Sequence, residues 1–424
     1  MSGSMYAAIS GLNADQALLG TVSENIANVS TVGYKASSMT FAQALQQTLS
    51  GASAPTATLG GINPVQVAAG GAVNIGGIEI NTNEGTLQST GINTNLAIQG
   101  NGYFIVQTSQ GGQAFTRAGN FSLDANGNLV NPSGDRVLGW SASTVAQKGQ
   151  TASNLVPLTI PPNETMPATA TTQITSVTGN LNSQDAGTTT TKSIPVTLYD
   201  AYGNTIPVDL TFANPTATSG GGVTWTVGYS YTPPGSSTAT TGTLGTLTFP
   251  ATGGAPTYTS TASSFTITPT DGAAAVQVSL GASAFQNITG YAMPTSVAVT
   301  ANGNPAGNLE NFTIGSNGTI TGSFSNGQTE VLGQVALANF SNPGGLLNIG
   351  QNLWQQSPNS GVAQVGQASS GALGSIAAGE LEGSNVSLAN EFVNMIMAQQ
   401  GYQANAKVIS VAQQLRTTLV NMIQ

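Results

Sequence analysis

Six aspartates, Asp124, Asp135, Asp185, Asp200, Asp209 and Asp271, are the side chains best suited to chemistry in the central part of the chain. Paired carboxylates at the right separation serve glycoside hydrolysis as acid and base or nucleophile. Their immediate context points elsewhere. Asp124 and Asp135 flank Asn126-Gly127 and Gly134, and Asp200 precedes Ala201-Tyr202-Gly203-Asn204. In such stretches a short acceptor side chain stabilises a turn. The other reactive sets are incomplete. The chain has no His and no Cys, which removes the usual base for a nucleophilic serine, the usual zinc ligands and any disulfide. None of Lys35, Lys148, Lys192 and Lys407 follows a Gly, so a phosphate loop of the Gly-Lys-Ser/Thr kind is absent. The expectation is a protein that is not an enzyme and carries no cofactor or metal.

Charge is scarce throughout. Only 5% of residues are charged, against about a quarter in an ordinary soluble domain. The net charge of −9 would repel a phosphate backbone, so nucleic acid is excluded as a partner. Residues 1–11 lack a basic region followed by an unbroken apolar run, and no stretch has the eighteen or so apolar residues of a membrane span. Neither a cleaved secretory leader nor membrane insertion is expected. A charge-poor, hydroxyl-rich chain without Cys suits a location outside the cell, but with no cleavable leader expected it would need a dedicated export route or remain cytosolic, and composition alone leaves both open.

The elements that would position functional residues fall into two kinds. From 5 to 29 the apolar residues follow helical spacing, with Met5, Leu12, Leu19 and Ile26 seven apart and Ile9 and Val22 widening the stripe. A second amphipathic helix begins after Ser387, with Glu391 in its first turn, and carries Leu388, Phe392, Met395, Ile396, Tyr402, Ile409, Leu415, Leu419 and Met422. Gly401 interrupts it at about 1 kcal/mol relative to Ala, and Arg416 breaks the strict seven-residue series. Between the helices, runs at 96–106, 194–198, 223–231, 265–268 and 331–340 favour strands. Asn-Gly pairs at 101, 126, 302, 317 and 326 supply positive φ for tight hairpins. Segments 37–77 and 366–379, rich in small residues, read as irregular connectors.

The expected fold is α+β, mainly β, with paired terminal helices forming a coiled-coil-like axial domain and two nested antiparallel β domains. The expected organisation is an axial helical domain from 1–33 and 380–424, and a connector from 34–90 and 363–379. A split inner β domain would follow from 91–174 and 288–362, with an inserted outer β domain from 175–287. Short amphipathic helices at the ends of a chain are marginally stable unless something covers them. The cover could be the β core, as in many α+β domains, or other subunits; one intramolecular hairpin would leave part of each stripe exposed and so invite neighbours.

Specific motifs sharpen this. Ser10-Gly11-Leu12-Asn13, Asn25-Ile26-Ala27-Asn28-Val29 and Thr31-Val32-Gly33-Tyr34-Lys35 resemble the N-terminal signature of bacterial flagellar rod and hook proteins. At the other end, the run from Leu381-Glu382-Gly383-Ser384-Asn385 to Gln400-Gly401-Tyr402-Gln403-Ala404-Asn405 resembles the matching C-terminal signature. Phe115-Thr116-Arg117-Ala118-Gly119-Asn120-Phe121 is shared by rod and hook members, while chain length, the inserted domain and Leu332-Gly333-Gln334-Val335-Ala336 favour the hook version. The resemblance implies a structural subunit, located in the extracellular hook and basal body of the flagellum. It would self-assemble into a curved hollow helical tube that acts as a universal joint between motor and filament. The implied partners are further copies of the chain, a distal rod protein, a hook cap, hook-filament junction proteins and the flagellar type III export apparatus. The fifteen apolar helix residues named above, from Met5 to Met422, would form the polymerisation interface. The rival readings are a distal rod subunit and a secreted β-rich adhesin.

Overall fold

The computed structural model describes residues 2–43, 46–50, 65–68, 73–148, 150–233, 237–269 and 272–422; Asp271 lies outside them. The N-terminal helix runs Ser2–Ala27 and the C-terminal helix Leu388–Met422. The stop after Ala27 follows from the Asn28-to-Gly33 stretch, where Gly33 takes φ +69° and its N–H donates to the Glu382 carbonyl at 2.8 Å. Neither helix is long and apolar enough to cross a membrane.

About half of the remaining described residues lie in strands, and the chain divides into two compact units. The first comprises 1–162, 312–322 and 330–424. Its main sheet orders the strands Thr329–Asn339, Arg136–Ser141, Tyr103–Gln107, Gln113–Thr116, Leu353–Gln355 and Leu347–Gly350, each antiparallel to the next. One face buries Tyr103, Ile105, Phe115, Trp140, Phe340 and Trp354. The Phe115 and Phe340 rings meet edge-on at 4.8 Å, and the Trp140 indole N–H reaches the Thr151 carbonyl at 2.9 Å. Two smaller pairings, Ser375–Ala378 with Leu96–Gln99 and Glu380–Glu382 with Leu87–Ser89, carry the chain toward the C-terminal helix.

The second unit comprises 163–311 and 323–329. It contains a five-stranded antiparallel meander from Thr191–Tyr199 to Thr257–Ser260, and a three-stranded sheet in which Ile174–Asn180 lies between Asn287–Thr289 and Ser296–Ala301. Trp225, Phe212, Phe249 and Phe285 fill its core. The unit begins before 175 and ends after 287 because Ile174–Asn180 needs both of its partners, and composition alone does not reveal that pairing.

Two expectations are corrected. Segment 37–77 is not wholly irregular: Ser37–Gln43 pairs antiparallel with Val73–Ile80, and Gln46–Ser50 pairs with Val65–Ala68. In the first ribbon Met39 faces Ile78 and Phe41 faces Ile75, an apolar alternation diluted by Gly76 and Gly77. The Asn-Gly pairs at 126, 317 and 326 are also not two-residue hairpin turns. Loops 108–112, 124–128, 131–135, 200–204, 218–222, 315–319 and 324–328 share one closure. The first residue's N–H donates to the fifth carbonyl, and the fourth N–H donates back to the first carbonyl. Only the glycine at position four has positive φ, between +76° and +86°. This is a turn followed by a glycine bulge, which leaves the Asn in ordinary backbone space. Asp124 Oδ1 accepts from Asn126 and Asn128 N–H, and Asp200 Oδ1 from Tyr202 and Asn204 N–H. In loop 131–135 the acceptor is Asn131, with Asp135 at the far end accepting from the Asn131 amide at 2.9 Å.

Candidate assembly interface

The two terminal helices lie antiparallel, and their closest approach is set by glycine. A Cβ on Gly11 would come within 2.5 Å of Asn405 Nδ2, and one on Gly401 within 2.9 Å of the Asp15 carboxylate. Between them the Asn405 amide donates to Asp15 Oδ2 at 3.0 Å. Gly401 therefore offsets its unfavourable helix propensity by admitting a hydrogen-bonded neighbour.

Among the described residues the helices bury few apolar side chains within the chain, Ala8, Ala14, Val22 and Ala398, together with the polar Thr21, Asn25 and Glu391. The large apolar side chains remain outside. Ile9, Leu388, Tyr402, Leu415, Leu419 and Met422 are exposed, as are Phe392 at 51% and Ile396 at 57%. Met5, Leu12, Leu19, Ile26, Met395 and Ile409 are half-buried. Val22, at 2% exposure, is used up inside the chain and offers nothing to a neighbour. Tyr6, Val393, Met397, Val408, Val411 and Val420, which lie off the predicted stripes, are exposed as well. Val408, Val411 and Leu415 line an apolar groove of about 470 Å³ together with Ser4 and Ala404. A seven-residue series follows one stripe and misses these; helix-wheel counting over the whole surface would have included them.

The root of the helix pair is polar and tightly bonded. Asn25 Oδ1 accepts from the Tyr34 hydroxyl and the Ser37 N–H, while its amide donates to the Ser37 carbonyl at 2.8 Å. Asn385 mirrors it, accepting from Ala36 N–H and donating to the Asn81 and Asn83 carbonyls. Beneath them Glu382 is fully buried. Its Oε1 lies 2.6 Å from Lys35 Nζ and accepts from Gly85 N–H, and its Oε2 lies 3.4 Å from the Arg117 guanidinium. Arg117 also donates to the Ile98 and Gly100 carbonyls and stacks over the Tyr103 ring. Burial pushes the Lys35 ammonium below its usual range, with the Glu382 carboxylate opposing the shift. Burial likewise raises the Tyr34 hydroxyl, helped by the charges of Glu24 and Glu391. Three segments distant in sequence thus converge on one carboxylate, and nothing in their spacing announces it.

A pair of terminal helices that leaves most of its large apolar side chains exposed, mounted on a β body, is the arrangement expected of a structural axial protein of the flagellar rod and hook class. Family profiles agree: flagella basal body rod protein over residues 5–35, flagellar hook protein FlgE/F/G D1 domain over 97–182, and flagellar basal body rod FlgEFG protein C-terminal over 377–422. The chain is 35% identical to the flagellar hook protein FlgE of Salmonella typhimurium over 98% of each chain. It is 33% identical to that of Borreliella burgdorferi over the full length of both. A crystal structure of Helicobacter pylori flagellar hook protein FlgE2 aligns with a TM-score of 0.49 and 16% identity, over 68% of this chain and 98% of that one. The chain belongs to the flagellar hook protein family: it is a structural subunit of the bacterial flagellar hook, outside the cell.

Proposed function

We propose that the outward stripes of the two terminal helices are the polymerisation interface, and that copies joined through them form the curved hollow tube that passes motor torque to the filament. The observation that carries this reading is the exposure of the large apolar side chains, Phe392, Ile396, Leu415, Leu419 and Met422 among them, on helices whose buried apolar residues are mostly alanine. A helix pair that folded only for itself would hide Phe392 and Ile396 rather than Ala398. Covering the exposed halves of Ile9, Leu388, Phe392, Ile396, Tyr402, Leu415, Leu419 and Met422 returns roughly 1 kcal/mol each, about 8 kcal/mol in all. That is comparable to the ~4–15 kcal/mol cost of fixing one subunit against another. One pairwise contact is therefore marginal, and a subunit stays bound when several neighbours cover it at once. A head-to-tail arrangement that does not close gives an open helical fibre.

The same reading supplies finer partners: a distal rod protein below, a cap during growth, junction proteins above, and the flagellar export apparatus as the route out. A chain without Cys reaches the outside with no disulfide to form. The carboxylates at Asp124, Asp135 and Asp200 are engaged in turns, which supports a structural use for them.

The test is electron microscopy and sedimentation of the full chain beside Phe392→Glu and Ile396→Glu. The parent forms curved tubes. Each variant, with unchanged helical circular dichroism and melting, stays monomeric; tubes from both at the parent's critical concentration would sink the interface. Straight tubes from the parent would favour a rod role.

A further inference from the structure

We propose that Met397 and Met422 form a modification site on the C-terminal helix: in a subunit not yet assembled, each thioether takes an oxygen atom from a peroxide-class oxidant, and the sulfoxides formed keep that subunit out of the fibre. Oxidation has few other targets in this chain. There is no Cys and no His, and the three tryptophans, Trp140, Trp225 and Trp354, are buried. Sulfur is therefore present only as thioether, whose common oxidative product is the sulfoxide. Among the described residues three methionines are exposed, Met293 at 50%, Met397 at 57% and Met422 at 81%.

The position of the two helix methionines gives their oxidation a consequence. Along the helix from Met397 through Ala404, Val408, Val411 and Leu415 to Met422, every step is three, four or seven residues, so all six share one side. Ala404, Val408, Val411 and Leu415 line the apolar groove, and the two methionines continue that side of the helix toward either end. Met293 lies on neither helix and belongs to the second unit, which makes it an internal control.

The step needs no catalytic residue. A lone pair on sulfur attacks one peroxide oxygen, the O–O bond breaks, and with one proton transfer the rest of the peroxide leaves as water; sulfur gives up two electrons and the peroxide gains them. A flexible apolar side chain becomes a polar, chiral one. In the free subunit the new S=O group faces solvent and keeps its hydration, so the fold is untouched. Under a neighbour it must shed that water on a side of the helix where Ala404, Val408, Val411 and Leu415 offer no side-chain donor, and a polar group buried without a partner is costly. The penalty thus falls on subunit addition alone.

The test treats purified monomer with hydrogen peroxide, maps the sulfoxides by peptide mass spectrometry, and measures the critical concentration for tubes against each protein's own untreated sample. In the parent we expect sulfoxide at Met293, Met397 and Met422, and a critical concentration higher by roughly tenfold or more. In the double variant Met397→Leu/Met422→Leu we expect sulfoxide at Met293 and no change on oxidation. An unchanged critical concentration in the oxidised parent would overturn the proposal, as would an equal rise in the double variant. Helical circular dichroism of the oxidised monomer should match the untreated one, and a loss of helix would equally overturn it. The proposal rests on the helix stripes being the interface, and the two fail separately: tubes from Phe392→Glu at the parent's critical concentration sink both, whereas an oxidised parent that assembles normally sinks this one alone.

Discussion

Glu382 holds two cations out of water, and its neighbours define what losing it would do. A buried charge left without its partner costs about 3–5 kcal/mol, far more than a solvated pair contributes. Glu382→Gln leaves Lys35 and Arg117 facing each other, so we expect a loss of that order in urea unfolding and a further fall in the Lys35 pKa. Lys192 and Asp185, 3.2 Å apart but partly exposed, provide the contrast: Lys192→Ala should cost about 0–1 kcal/mol. Asp124 gives the acid-side prediction. Hydrogen bonds from the Asn128 side chain and backbone hold its carboxyl below the usual value of 3.8. A depressed pKa means stability that is present above 3.8 and lost as pH falls through the lower folded value. Carboxyl NMR should show Asp124 titrating below a free aspartate, and Asn128→Ala should move it upward; a normal titration in the parent would contradict the turn geometry.

At the scale of elements, the two glycines of the helix pair make a prediction that helix propensity alone gets wrong. Gly401→Ala removes a helix penalty of about 1 kcal/mol. The new Cβ, however, meets the Asp15 carboxylate, which must swing away from Asn405 and forfeit a charge-assisted bond of about 1.5–3 kcal/mol. We expect a net loss of about 1 kcal/mol in the parent, and a gain of about 1 kcal/mol in an Asp15→Ala background where nothing obstructs the methyl. Urea melts followed by helical circular dichroism would read both; a gain in the parent would mean the helices are not this close. The contrast shows what the sequence made legible. Both helices, the Val223–Tyr231 strand and much of Thr329–Asn339 follow from periodicity and β-propensity, because those signals are local. The turn role of Asp124 and Asp200 was legible for the same reason. The role of Gly401, the convergence of Lys35, Arg117 and Glu382, and the capture of Val22 inside the chain were not. Each depends on a partner hundreds of residues away or on which side of a stripe the partner helix takes.

At the scale of the whole molecule, scarcity of charge decides how assembly should respond to its surroundings. With 5% of residues charged, few ion pairs can form between copies, and the surfaces proposed for contact are apolar. Salt screens charges beyond about 8–10 Å at physiological strength, so a fibre held by ion pairs would weaken steadily as chloride is added. This one should not: its critical concentration should stay nearly constant with chloride. Sulfate acts differently, because it is excluded from protein surface and strengthens apolar burial; it should lower the critical concentration. Temperature supplies the sharper test. Apolar association weakens on cooling, since water around exposed hydrocarbon becomes less unfavourable. Tubes assembled near room temperature should therefore lose subunits in the cold and regain them on warming, as read by turbidity and sedimentation. Tubes that dissolve in chloride but endure the cold would show that the copies are held by ions after all, and that the exposed Phe392, Ile396 and Leu415 are not what joins them.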